Sequence, residues 1–187
     1  MIEKIRKAIH LCALLIPLLS EFTSRTVTIT IVSTITIAYI FEEFLRLNDR
    51  RIQVISEFIL KMSRPEERSR FIMRPLYLAV GVIFALAGYT KLIAYASICV
   101  VAIGDPIAAL VGGRLGRTHI RKRKTAEGFA AGLIASFLMA SLLISPALAL
   151  VGAVAGMLME LLDFPDDNLA MPIISGAMMT LASIASH

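Results

Sequence analysis

The chain has 187 residues, 57% of them hydrophobic, with a mean hydropathy of +0.78 and a formal net charge of +5. A soluble domain is roughly 45–50% apolar; here the excess falls in blocks, which excludes an ordinary soluble domain and points to an integral membrane protein. The only two cysteines, Cys12 and Cys99, lie in apolar runs, so neither a disulfide framework nor a CxxC zinc site is available.

Seven apolar segments follow in chain order, near 8–20, 26–42, 75–89, 92–112, 127–145, 147–162 and 169–186. The first follows a short basic stretch with no small-residue cleavage site after it, so it reads as a span and not as a leader. The second contains TVTITIVSTITI, whose period of two suggests a strand. A lone strand leaves its backbone unpaired in a bilayer, and the other six segments do not alternate. A helix is therefore expected, with threonine hydroxyls bonding to carbonyls one turn earlier.

Between the second and third segments, residues 47–74 place Ile52, Ile55, Phe58, Ile59 and Met62 at helical spacing. This predicts an amphipathic interfacial helix on the cytoplasmic side. The fourth segment is interrupted by Gly104-Asp105-Pro106, which predicts a broken helix. The fold class is thus all-α and polytopic, with about seven transmembrane helices in a single catalytic domain.

Charge placement orients this arrangement. With the N-terminus inside and seven spans, all of the 19 Lys and Arg residues except Arg25 and Lys91 fall in cytoplasmic regions. The C-terminus then lies outside. Of the 14 acidic residues, only Glu21 is clearly outside.

Three groups of polar residues face the cytoplasm. Asp105 sits at the expected break, followed by Gly112, Gly113 and Gly116; a carboxylate beside a helix-end anion site suggests a bridging divalent cation, and a packing kink is the alternative. The segment RTHIRKRKTAEG, 117–128, brings Lys124 and Glu127 to the mouth of a span. Glu160 lies within the end of the sixth segment, ahead of Asp163, Asp166, Asp167 and Asn168. Carboxylates, basic groups and glycines on one face form an inventory for phosphoryl or nucleotidyl transfer. No GxxxxGK[ST] loop occurs.

Asp105-xx-Ala108-xxx-Gly112-xxx-Gly116 followed by Lys124-Thr125-x-Glu127-Gly128 resembles the CTP-binding motif of the dolichol kinase and phytol kinase family. RKAIH (residues 6–10), EEFLR (42–46), RPEE (64–67) and Glu160 with DDNLAMP (166–172) resemble its other stretches, in the same order. More distantly, the pattern is similar to the phosphatidate cytidylyltransferases. The resemblance implies CTP as phosphoryl donor, Mg²⁺ held by Asp105 with Glu160 or Asp167, and an isoprenoid alcohol as acceptor. It assigns catalytic roles to Asp105, Lys124, Glu127, Glu160 and Asp167. Ala108, Gly112, Gly116, Arg123, Lys124, Thr125, Gly128 and Asn168 would contact the nucleotide; His10, Arg46 and Glu67 would bind or orient the acceptor. The implied partners are CTP, the prenol, membrane lipids and a second copy of the chain in a homodimer, with no nucleic acid. Two alternatives stay open: a CTP-dependent cytidylyltransferase or prenyl-phosphate kinase, and a small-solute transporter built around a discontinuous helix.

Overall fold

The computed structural model describes residues 7, 9–50, 52–63, 67–121, 124–162 and 166–186, without the side chains of residues 58 and 62. The expectations for Arg123 and Asp163, for Arg64, Pro65 and Glu66 of the RPEE stretch, and for the side chains of Phe58 and Met62 fall outside this description. The elements are α1 (Leu15–Phe22), α2 (Arg25–Leu47), α3 (Gln53–Met62), α4 (Arg74–Gly88), α5 (Lys91–Leu115), a two-stranded antiparallel hairpin of β1 (His119–Arg121) and β2 (Lys124–Thr125), α6 (Ala126–Ser141), α7 (Pro146–Leu162) and α8 (Asp167–Ala185). The hairpin lies in the basic segment that the sequence presents only as a loop.

Among the described residues, three helices, α2, α5 and α8, are long and apolar enough to cross a membrane. Ile9–Phe22, α4, α6 and α7 are apolar but shorter. In α2 the alternating segment is helical, and its threonines bond backward as expected: Thr30 to the Thr26 carbonyl at 3.0 Å, Thr34 to Thr30 at 2.8 Å and Thr36 to Val32 at 2.7 Å. These bonds absorb hydroxyls that would otherwise meet an apolar surround. Ile35, Ile37, Phe41 and Phe44 of α2 remain exposed.

The core forms around α5. This helix is apolar on every side, the pattern of an interior helix, and every residue from Ile93 to Ala102 is buried. It is packed by α4, α6, α7 and α8. Val100, Val101, Ala108, Met157, Met171 and Met179 make one apolar cluster around it. Val82, Leu86, Tyr95 and Ile98 make another on its α4 side.

The expected break at Gly104-Asp105-Pro106 does not occur: α5 runs unbroken through all three residues. A proline inside an isolated helix costs about 3 kcal/mol. Here it removes a single backbone bond, to Ala102, in a helix of 25 residues enclosed by neighbours. Lateral packing by adjacent helices tolerates such a proline. The discontinuous helix that favoured a transporter is therefore absent.

Close contact between α5 and α6 explains the spacing of the small residues. Gly104, Ala108, Gly112 and Gly116 recur every fourth residue on one side, and Gly128, Gly132, Ser136 and Ala140 on the other. Such stripes let helix backbones approach closely. A β-carbon at Gly132 would lie 2.8 Å from the Gly104 carbonyl and 2.9 Å from the Ala108 β-carbon. One at Gly128 would lie 2.6 Å from the Ala108 carbonyl, and one at Gly112 would meet Thr125 Oγ1 at 2.8 Å. On the opposite flank, Gly81 of α4 makes room for Pro172 of α8.

The start of α3 and residues 68–72 are pinned to the end of α2 by a buried polar network. Glu43 and Arg46 form a two-bond pair, Nε to Oε1 and Nη2 to Oε2, both 2.8 Å. Arg46 also donates to the carbonyls of Arg68 and Arg70 at 2.6 and 2.7 Å, and Glu43 accepts the Ile72 N–H at 2.9 Å. Glu42 accepts from the Ser56 hydroxyl and the Ile52 N–H. The amphipathic helix expected in this region is α3, and its Ile59 is buried.

Two substitutions test the α5–α6 contact. Gly132→Leu overpacks it and lowers stability by about 1–3 kcal/mol, read as a fall in the thermal midpoint of the detergent-solubilised chain. Gly113→Ala, where a β-carbon meets nothing within 4 Å, leaves the midpoint unchanged or raises it by the equivalent of roughly 0.5–1 kcal/mol.

Candidate functional site

Asp105, Glu160 and Asp167 come from three helices, α5, α7 and α8, and each offers a carboxylate oxygen within 4.8 Å of the others. Each position has a local cause. Asp105 lies on the central helix nearly three turns from its C-terminal end at Leu115. Glu160 lies in the last turn of α7. Asp167 opens α8, whose N-cap is Asp166, accepting the Asn168 N–H at 3.0 Å. Burial and the neighbouring Asp167 charge push the Asp166 carboxyl above its usual range.

Three carboxylates this close repel unless cations share the space. Lys124 Nζ stands 3.2 Å from Glu160 Oε1 and 3.7 Å from Asp167 Oδ2, and it also donates to the Glu160 carbonyl. Arg121 donates to the Leu162 carbonyl. The hairpin thus delivers two cationic side chains to the C-terminal carbonyls of α7, where the helix dipole favours positive charge. On the far side, Lys7 Nζ donates to Asp105 Oδ2 at 2.8 Å and to its carbonyl at 3.3 Å. His10 Nδ1 lies 3.1 Å from the same carboxylate oxygen, without the alignment of a hydrogen bond. Lys7 was not singled out from the sequence; its i, i+3 spacing with His10 in RKAIH was the available signal.

The structure separates the remaining expected residues. Thr125 caps α6, its hydroxyl oxygen accepting the Gly128 N–H at 3.2 Å. Ala108, Gly112 and Gly128 lie in the α5–α6 contact, which accounts for their size without a ligand. Gly116 also packs on Thr125, and it borders a hollow of about 420 Å³ with Arg114, Arg117 and Glu127. Glu127 does not join the carboxylate cluster: its two oxygens accept the Thr118 N–H at 3.1 and 3.3 Å and fix the loop after α5. Asn168 is fully buried where α8 meets Gly81 of α4, and its Oδ1 has no partner among the described residues.

For the acceptor-orienting residues, the outcome is mixed. Arg46 is committed to Glu43 and to two carbonyls, so it holds the 68–72 segment in place rather than facing a ligand. Glu67 pairs with Arg74 at 3.2 Å, and both line an apolar cavity of about 470 Å³ whose wall also includes His10.

The donor set suits a hard divalent cation. Mg²⁺ takes oxygen ligands at about 2.0–2.1 Å in octahedral geometry, which places neighbouring ligand oxygens about 2.9 Å apart. The 4.8 Å spread is wider than this, so ligation by all three requires their side chains to converge. The expected outcome is a rise in thermal midpoint on adding Mg²⁺ or Mn²⁺ to the full chain in detergent, by binding linkage. The Glu160→Gln, Asp167→Asn double variant loses that rise. An undiminished rise in the double variant shows that the cation binds elsewhere. No protein-family model, curated protein or solved structure matches the chain.

Proposed function

We propose that the chain is a CTP-dependent kinase of a membrane isoprenoid alcohol. The observation that carries this reading is the convergence of Asp105, Glu160 and Asp167 with Lys124 at adjoining helix ends. The choice of CTP and of a prenol rests on the motif resemblance. In this reading the chain crosses the membrane seven times, with the N-terminus and site cytoplasmic and the C-terminus outside. The shorter helices α4, α6 and α7, of 15, 16 and 17 residues, span about 22–26 Å; polar flanks complete their crossing. The Glu21–Lys91 ion pair, 2.9 Å, marks the opposite end of the bundle.

Asp105, Glu160 and Asp167 would hold Mg²⁺, which when bound neutralises charge on the nucleotide phosphates. Lys124 supplies a fixed positive charge beside them. Arg114 and Arg117, around the hollow at Gly116, attract the nucleotide to the same face. His10 and Lys7 close the site on the side away from the hairpin. The acceptor hydroxyl oxygen attacks the γ-phosphorus, the bond from that phosphorus to the β–γ bridging oxygen breaks, and CDP leaves. The hydroxyl proton passes to a site carboxylate or to water. Positioning and charge stabilisation carry most of such a transfer.

The test uses purified full chain, γ-labelled CTP and a panel of prenols. Labelled prenyl phosphate with unlabelled CDP is the expected product, and Asp105→Asn lowers its rate by about 100-fold or more. Release of pyrophosphate with CMP attached to a lipid phosphate identifies a cytidylyltransferase instead. Retention of near wild-type transfer in Asp105→Asn removes that residue from the centre.

A further inference from the structure

The cavity of about 470 Å³ lies between α2, α3 and α4, at the end of the molecule that carries the carboxylate cluster. Its walls are mainly apolar, with Ile35, Phe41, Ile55, Ile59, Ile72 and Leu78. Its size falls in the range of sites that enclose a small organic ligand, about 300–1,000 Å³. At the rim, Ile35 and Phe41 of α2 are 64% and 61% exposed, so the cavity opens along a helix flank that is itself apolar. Water gains nothing by filling such a space, and a chain already dissolved in a bilayer enters it from the side.

The wall also carries polar groups. They are His10, Glu42, Ser63 and the Glu67–Arg74 pair. Glu42 is 3% exposed, and its Oε2 has no partner among the described residues. Its Oε1 already accepts from Ser56 and Ile52 and its Oε2 is covered, so Glu42 contributes negative charge behind the wall and not an open acceptor. Among the described residues the wall carries two carboxylates and one arginine, a balance that disfavours an anionic head group, whereas a neutral hydroxyl can donate to Glu67 and accept from Arg74. His10 belongs both to this wall and to the surroundings of Asp105, whose carboxylate it approaches at 3.1 Å.

We infer that this cavity seats a single-chain lipid alcohol drawn from the bilayer, its chain between α2 and α3 and its hydroxyl beside His10, one side chain away from the carboxylate cluster. This site deepens the proposed function and rests on it only for the fate of the hydroxyl. His10 is then a positioning residue between acceptor and centre, and Glu42, Glu67 and Arg74 select for an uncharged head.

The test is photolabelling of the full chain in detergent by a long-chain primary alcohol with a diazirine at its tail, without nucleotide. Labelled peptides should map to α2, α3 and the start of α4. Ala38→Trp, which fills the cavity from an exposed α2 position, and Ile55→Trp on α3 should each cut labelling roughly tenfold. Ile37→Trp, on the same helix but outside the cavity, should leave it unchanged. Unlabelled prenol should compete and prenyl phosphate should not. Labelling spread over other helices, equal labelling in Ala38→Trp and Ile37→Trp, or competition by the phosphate alone overturns the inference. If labelling behaves as expected but CTP transfers nothing, the kinase reading fails and the lipid site stands. If transfer proceeds and Ala38→Trp alters neither labelling nor the acceptor KM, the reverse holds.

Discussion

The close approach of α5 and α6 is the constraint on which the rest of the arrangement depends. Small residues at every fourth position on both helices bring the two backbones together until a β-carbon at Gly128 or Gly132 would collide with carbonyl oxygens of α5. Without a hydrophobic drive between helices in lipid, such packing is a principal source of association. It encloses α5 enough to keep it helical through Pro106. It also sets where β2 ends and α6 begins, and therefore where Lys124 projects.

Burying α5 makes Asp105 expensive, and the structure offsets this with cations from two distant parts of the chain. Lys7 bonds to Asp105 from one side, and Lys124 approaches Glu160 and Asp167 from the other. Breaking a buried pair by removing one partner leaves an uncompensated charge, a cost of several kcal/mol. The same logic governs the second buried network, where Arg46 answers Glu43 and ties down two carbonyls of the segment before α4. One network therefore shapes the cluster of carboxylates, while the other holds a wall of the apolar cavity in place. His10 stands between the two regions.

Much of this was legible in the sequence. The apolar blocks of 26–42, 92–112 and 169–186 correspond to the three long helices, because length and composition are local properties that survive folding. The threonine back-bonding of α2 was legible because an isolated strand has no place in a bilayer. The grouping of Asp105, Lys124, Glu160 and Asp167 followed from alternation: successive helices reverse direction, so their ends meet at one face. The break at Pro106 was misjudged because a proline's local cost says nothing about the neighbours that confine the helix. The hairpin was missed because its strands span three and two residues, too few for any periodicity to register.

By itself the sequence determined the helical class, the apolar segments and the end of the bundle at which charge accumulates, since these depend on residue type and spacing along a single helix. Tertiary structure decided what each small or charged residue does there. Gly112 and Gly128 serve helix contact, Thr125 caps α6, Glu127 holds a loop, Arg46 braces a segment, and Lys7 joins the site. Those roles depend on which helices touch and at what depth. Packing across the chain sets that, and no window of the sequence contains it.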